Sequence, residues 1–189
     1  MVCMDYSTSP SRVALITGAS AGLGRALARG LAGRGWRLVV DARGHEALRS
    51  ATHELAEYTA VTGCAGDVTD PAHRAELAAA VAEAGRLDLL VNNASRLGPS
   101  PLPALAEYPL DELRRVYEVD VMAPLALVQI MLPQLIAARG IVVNMSSDAA
   151  VEAYERWGGY GSAKAALEQL TRVLAPEHPE LSVFAVDPG

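Results

Sequence analysis

Short apolar runs alternate with helix-spaced segments along most of the chain. Residues 13–17, Val-Ala-Leu-Ile-Thr, form a strand-like run that ends in glycines. Residues 25–34 follow, with Leu27 and Leu31 one turn apart and alanine between them, and this spacing predicts a helix. Residues 37–42 read as the next strand, 45–57 as a helix, 60–68 as a third strand and 71–85 as an Ala-rich helix. Residues 87–91 are continuously apolar, and 141–145 and 181–186 repeat that kind. Strands that are apolar on both faces, with helices between them, imply a parallel sheet covered on both sides. The expected fold class is therefore α/β, a parallel sheet between two layers of helices. Residues 97–109 form a Pro-rich loop. Residues 110–139 read as a long but interrupted helix, with Pro124 expected to kink it and Pro133 expected near its end.

Composition narrows the function. The chain has 189 residues, the size of one domain, of which 51% are hydrophobic and 20% charged. A formal net charge of -6, with arginines scattered singly, argues against a nucleic-acid partner. Residues 1–12 are polar and rich in Ser and Pro and lack a signal-peptide core, so they read as a loose tail before a single domain at 13–189. No apolar run is expected to span a membrane, which points to a cytoplasmic protein. Cys3 and Cys64 suggest neither a disulfide framework nor a metal site, and are expected as free thiols.

The first strand runs into Thr17-Gly18-Ala19-Ser20-Ala21-Gly22-Leu23-Gly24 and then a helix. Glycines permit a tight turn and a close backbone approach. The helix N-terminus behind them offers free N–H groups and a positive dipole end to a pyrophosphate. A plain strand-to-helix turn would look similar, so the rest of the chain has to decide. Tyr160 and Lys164 are four residues apart, on one helix face. A phenol titrates near 10 and is a poor acid–base catalyst at neutral pH, but a neighbouring ammonium favours the phenolate. Taken alone, this pair occurs by chance on many helices. Ser147 lies 13 residues ahead of Tyr160 and can donate a hydrogen bond to the same substrate oxygen.

The glycine spacing Gly-x-x-x-Gly-x-Gly resembles that of the short-chain dehydrogenase/reductase family. So do Asp67-Val68 after the third strand, Asn92-Asn93-Ala94-Ser95 after the fourth, Ser147 with Tyr160-x-x-x-Lys164, and Asp187-Pro188-Gly189 after the sixth. The resemblance runs from Thr17 to the last residue, with every motif in family order, and it implies a Rossmann-like, doubly wound parallel sheet in three layers with strand order 3-2-1-4-5-6. It implies hydride transfer between a nicotinamide cofactor and a carbonyl or alcohol, with Tyr160 as acid–base, Ser147 holding the substrate oxygen and Lys164 also bonding the nicotinamide ribose. It further implies cofactor contacts at Gly18, Ser20, Ala21, Gly22, Leu23, Gly24, Asp67, Val68, Asn93, Ala94, Tyr160, Lys164, Pro188 and Gly189. A homodimer or homotetramer through the helices at 110–139 and 160–174 is implied as well. The second strand ends Val40-Asp41-Ala42-Arg43. An acid there binds the ribose hydroxyls of NAD, and an Arg accommodates the 2′-phosphate of NADP. The family's acid falls at small Ala42 and its Arg at Arg43, so NADP is expected, with NAD as the other choice.

Three departures stand out. The family's fourth catalytic residue, an Asn, is here Asp120. A carboxylate accepts hydrogen bonds but cannot donate when ionised. It would favour the charged form of Lys164 and weaken that residue's pull on Tyr160. Ser95 also replaces the family's Gly. The family continues past the Pro-Gly turn with a substrate loop and a seventh strand, so this chain is expected to leave the substrate side open and a sheet edge bare. A non-catalytic dinucleotide-binding protein, or a fragment, is the alternative function. His45, His53, His73 and His178 read as surface or turn residues, Cys64 and Met145 as core fillers, and Tyr154 and Trp157 as either pocket lining or loop packing.

Overall fold

The computed structural model describes residues 11–189. Cys3 and the expected tail lie outside them, except for its last two residues. Arg12 is fixed in place: its guanidinium lies 4.3 Å from the Trp36 ring centroid, and its carbonyl accepts the Arg37 N–H at 2.9 Å.

Six strands form one sheet: β1 (Val13–Ile16), β2 (Arg37–Ala42), β3 (Val61–Ala65), β4 (Leu89–Asn92), β5 (Ile141–Met145) and β6 (Ser182–Val186). The order is β3-β2-β1-β4-β5-β6 and every adjacent pair is parallel. The helices are α1 (Gly22–Ala32), α2 (His45–Leu55), α3 (Pro71–Ala84), α4 (Leu110–Tyr117), α5 (Ala123–Ala138) and α6 (Gly158–Glu177). Side chains alternate across the strands, so each strand feeds two cores. Ala14, Ile16, Leu38 and Val40 pack with Ala28 of α1 and Leu48 and Leu55 of α2. Leu15, Val39, Leu90 and Val142 pack with Leu77 and Val81 of α3 and Leu127, Met131 and Leu135 of α5. Met145 belongs to the first core and Cys64 packs against the second, as core fillers should.

The third strand is shorter than expected and mostly exposed, as the edge strand of the sheet. The interruption in the long helix is also different. Neither proline ends it: Pro133 lies inside α5. The break is a π turn at Glu118–Met122. Pro124 has no N–H to give the carbonyl four residues back, at Asp120, and the wider turn accommodates that loss. The expectation that no run reaches spanning length is corrected too. Leu110–Ala138 forms one helical stretch of 29 residues, long and apolar enough by length and composition to cross a membrane. Here its apolar residues Leu127, Val128, Met131 and Leu135 are buried in the second core. The π turn points Asp120 into the protein, fully buried at the carboxyl ends of the strands.

Candidate active site

β1 delivers Thr17 and Gly18 to the carboxyl edge of the sheet, where the chain turns into α1. Gly18 has φ +66°, a conformation open to glycine without strain. Gly24 packs so tightly that a Cβ would overlap the Asn93 side chain and the Gly18 carbonyl. Asn93 Nδ2 donates to the carbonyls of Thr17 (2.8 Å) and Gly18 (3.1 Å). Thr17 Oγ1 accepts the N–H groups of Asn93 (3.0 Å) and Ala94 (2.9 Å). The end of β4 is thereby pinned to the turn. The N-terminus of α1 has no side-chain cap and no acidic residue in its first turn, which leaves its N–H groups and dipole for an anion. A cleft of about 380 Å³ opens beside it. Gly18, Ser20, Arg43, Asp67, Val68, Asn93 and Ala94, all expected cofactor residues, form part of its wall. Ala21 precedes α1 and Gly22, Leu23 and Gly24 form its first turn without lining the cleft, and Tyr160 and Lys164 of α6 and Pro188 and Gly189 after β6 do not line it either. The glycine cradle and the uncapped helix end fit a dinucleotide diphosphate.

The four expected catalytic residues converge next to this cleft. Ser147 follows β5 and opens a short turn at Asp148–Ala150. Tyr160 and Lys164 lie on one face of α6, with Lys164 Nζ 5.4 Å from the Tyr160 ring centroid. Lys164 is buried. It donates to the Met145 carbonyl at 2.8 Å and pairs with Asp120 Oδ1 at 3.0 Å. The hydroxyls of Ser147 and Ser95 both bear on the Tyr160 phenol. Neither closes a short hydrogen bond to it, and such bonds commonly tighten when a site is filled.

A family model described as short chain dehydrogenase matches residues 12–189. The chain belongs to that family. This short-chain dehydrogenase is 35% identical, over 193 aligned residues, to the rhamnolipids biosynthesis 3-oxoacyl-(acyl-carrier-protein) reductase of Pseudomonas aeruginosa, covering 97% of this chain and 74% of the relative. Among solved structures it is similar to an alcohol dehydrogenase from the archaeon Thermococcus sibiricus complexed with 5-hydroxy-NADP (TM-score 0.89, 31% identity, 95% of this chain and 76% of that one). It is also similar to an NAD+-bound xylitol dehydrogenase (TM-score 0.88, 29% identity, 94% and 70%). It is an oxidoreductase that moves hydride between a nicotinamide dinucleotide and a carbonyl or alcohol.

In this short-chain dehydrogenase the expected pull of Lys164 on Tyr160 does not appear. Burial above all, and the carboxylates of Asp120 and Asp187, push the phenol above its ordinary 10.0, against the pull of Ser95 and Ser147. The positive charge of Lys164 is offset by Asp120, 3.0 Å away.

His73 is a second correction. It is buried rather than at the surface, with Nε2 3.0 Å from Asp41 Oδ2. Asp41 in turn accepts the Gly18 N–H at 2.9 Å through Oδ1. Burial raises the Asp41 carboxyl, while Gly18 and His73 draw it back. Asp41 is therefore an internal brace of the glycine turn. Sequence reasoning also missed Asp148. It accepts from Ser147 Oγ at 3.0 Å and from Tyr154 OH at 2.8 Å, and these bonds, Tyr154's first, hold its carboxyl below the usual range. Its one sequence signal was adjacency to Ser147. Tyr154, Trp157 and Tyr160 form an edge-to-face aromatic row with centroids 6.2 and 6.0 Å apart.

Proposed function

We propose that this chain reduces small carbonyl compounds with NADPH, with Tyr160 as the general acid. The observation that carries the reading is the convergence of Tyr160, Ser147 and Lys164 beside the cleft at the glycine turn, with Ser95 lining that cleft. A bound nicotinamide dinucleotide supplies the hydride. Tyr160 gives its proton to the carbonyl oxygen as the alcohol forms. A phenol raised above 10.0 stays protonated throughout the neutral range, which suits the acid role in reduction. Ser147 holds the same oxygen once its hydroxyl turns from Asp148 to the substrate. Lys164 holds Asp120 and the carbonyl of Met145, the last residue of β5, and with Tyr160 would face the nicotinamide ribose. Intact Ser147, Tyr160 and Lys164 speak against a non-catalytic binding role.

Arg43 supports the choice of NADP. It is exposed at the end of β2 and makes no ion pair within 4.0 Å among the described residues. Its charge acts on Asp67 across the adenosine end of the cleft. Ala42 is small, and Asp41 is turned inward onto Gly18 and His73, so neither offers a carboxylate to the ribose hydroxyls. NADPH should bind more tightly than NADH, and Arg43→Ala should remove most of the difference. A charge-assisted phosphate contact contributes about 1.5–3 kcal/mol, or roughly tenfold or more in affinity. Fluorescence titration of both cofactors checks this; tighter binding of NADH by the parent protein would overturn it.

A further inference from the structure

The aromatic row beside Tyr160 is tied at both ends to groups that handle the substrate oxygen. At one end the Trp157 ring meets the Tyr160 ring edge-to-face, with centroids 6.0 Å apart and planes inclined at 71°. Tyr154 comes next, its ring 6.2 Å from that of Trp157 and inclined at 65°. At the other end the Tyr154 hydroxyl donates to Asp148 Oδ2 at 2.8 Å, and Asp148 Oδ1 accepts from Ser147 Oγ at 3.0 Å. The row therefore starts on the proton donor and returns, through one carboxylate, to the serine that holds the same oxygen. We propose that Trp157 and Tyr154 form a substrate subsite that seats an aryl group, so that the carbonyl compounds reduced here are uncharged aryl ketones or aldehydes. This rests on the reading of Tyr160 as the general acid. The chemistry at the carbonyl is unchanged: hydride to carbon, the Tyr160 proton to oxygen.

Rings that served only to pack the loop would be buried. Trp157 is instead 37% exposed and Tyr154 46% exposed. Other apolar side chains are exposed with them. Val151 lies on the same loop, and Leu105, from the segment before α4, packs against Gly158, the residue after Trp157. An apolar surface that is continuous with catalytic side chains marks a place where a ligand lies. The rings are also ordered before any ligand arrives, because the Tyr154 hydroxyl is fixed on Asp148 and Trp157 is held between two aromatic neighbours. A ligand that binds there has less ordering cost to meet.

The chemistry of the row selects the ligand class. Aromatic rings have a negative face and a positive edge, so fixed edges and faces gain more from another aryl ring than from a saturated group of similar area. Charge sets the rest. The carboxylates of Asp148, Glu152 and Asp187 all bear on Tyr154. The arginine of this loop, Arg156, is paired with Glu155 at 3.7 Å. A carboxylate on the substrate would meet this rim with like charge, which costs affinity.

The subsite can be read without turnover. With NADP+ in the site no ketone is reduced, and calorimetric titration gives the affinity for acetophenone and for its saturated analogue, cyclohexyl methyl ketone. The parent protein should bind acetophenone the tighter of the two. Trp157→Ala should weaken acetophenone binding roughly tenfold and that of the saturated analogue by clearly less. Trp157→Phe, which keeps a ring, should recover most of the loss, and Tyr154→Ala should act in the same direction as Trp157→Ala. Initial rates with NADPH give a second reading: kcat/KM for acetophenone relative to diethyl ketone should fall about tenfold in Trp157→Ala. Equal losses for the aryl and the saturated ketone would mean that the row only packs the loop against Tyr160, and would overturn the proposal. No measurable binding of acetophenone by the parent protein would overturn it too. If Trp157→Ala does not fold, Tyr154→Ala decides, and an unchanged preference for acetophenone in that variant counts against the subsite. Acetophenone bound with the expected preference, but no carbonyl reduced with NADPH, would defeat the acid reading and leave the subsite standing.

Discussion

Tyr160→Phe should lower carbonyl reduction by roughly a hundredfold to ten-thousandfold while NADPH still binds. The aromatic ring stays against Trp157 and beneath Lys164, and only the proton donor is lost. The pH profile of the parent carries a second signature. The phenol is pushed above 10.0 by burial and by Asp120 and Asp187, so the protonated acid persists through the neutral range. The reduction rate should therefore hold flat with rising pH and fall only above the ordinary phenol range. The reverse oxidation needs the phenolate and should rise over that same upper range. Initial rates of NADPH oxidation and of alcohol oxidation against pH check both limbs.

Lys164→Met is expected to be the most destabilising single change at the site. It keeps the volume of the stem and removes the charge, leaving Asp120 buried with no counter-ion. Breaking a buried pair from one side costs about 3–5 kcal/mol, which for a chain of this size lowers Tm by roughly 10 °C. It also frees the Met145 carbonyl at the end of β5. Adding Asp120→Asn to Lys164→Met should recover much of the loss, because the uncompensated charge is then gone. Thermal unfolding of the two single variants and the double variant tests this. A double variant no more stable than Lys164→Met would show that the pair matters little to the fold.

The covered parallel sheet was legible because its strands alternate with helices and are apolar on both faces, while the strand order came with the family resemblance. The boundaries expected for β2 and β5, 37–42 and 141–145, match those of the strands. The glycine turn and the Tyr160–Lys164 spacing were legible because they are local. What escaped were partnerships across long stretches of chain. His73 sits in a polar segment and reads as a surface residue, since its partner Asp41 is 32 residues away. Ser95 shows only as a departure from a glycine until the fold brings it to Asp120, 25 residues on. The π turn is hidden for another reason: one extra residue per turn leaves the apolar pattern of 110–138 almost intact, and Pro124 drew the expectation toward a kink. Asp120 illustrates the consequence. Its residue type was plain in the sequence, but its complete burial and its three donors depend on that turn.

The central claim, hydride transfer from NADPH to a carbonyl at this site, is tested most directly with NADPH deuterated at the transferable position of the nicotinamide. The parent protein would be incubated with it and a panel of ketones and aldehydes, and the products read by mass spectrometry. The account predicts that at least one carbonyl is converted to an alcohol carrying deuterium on the carbinol carbon, and that Tyr160→Phe nearly abolishes this product. Tight binding of NADPH with no deuterated alcohol from any carbonyl in the panel would contradict it.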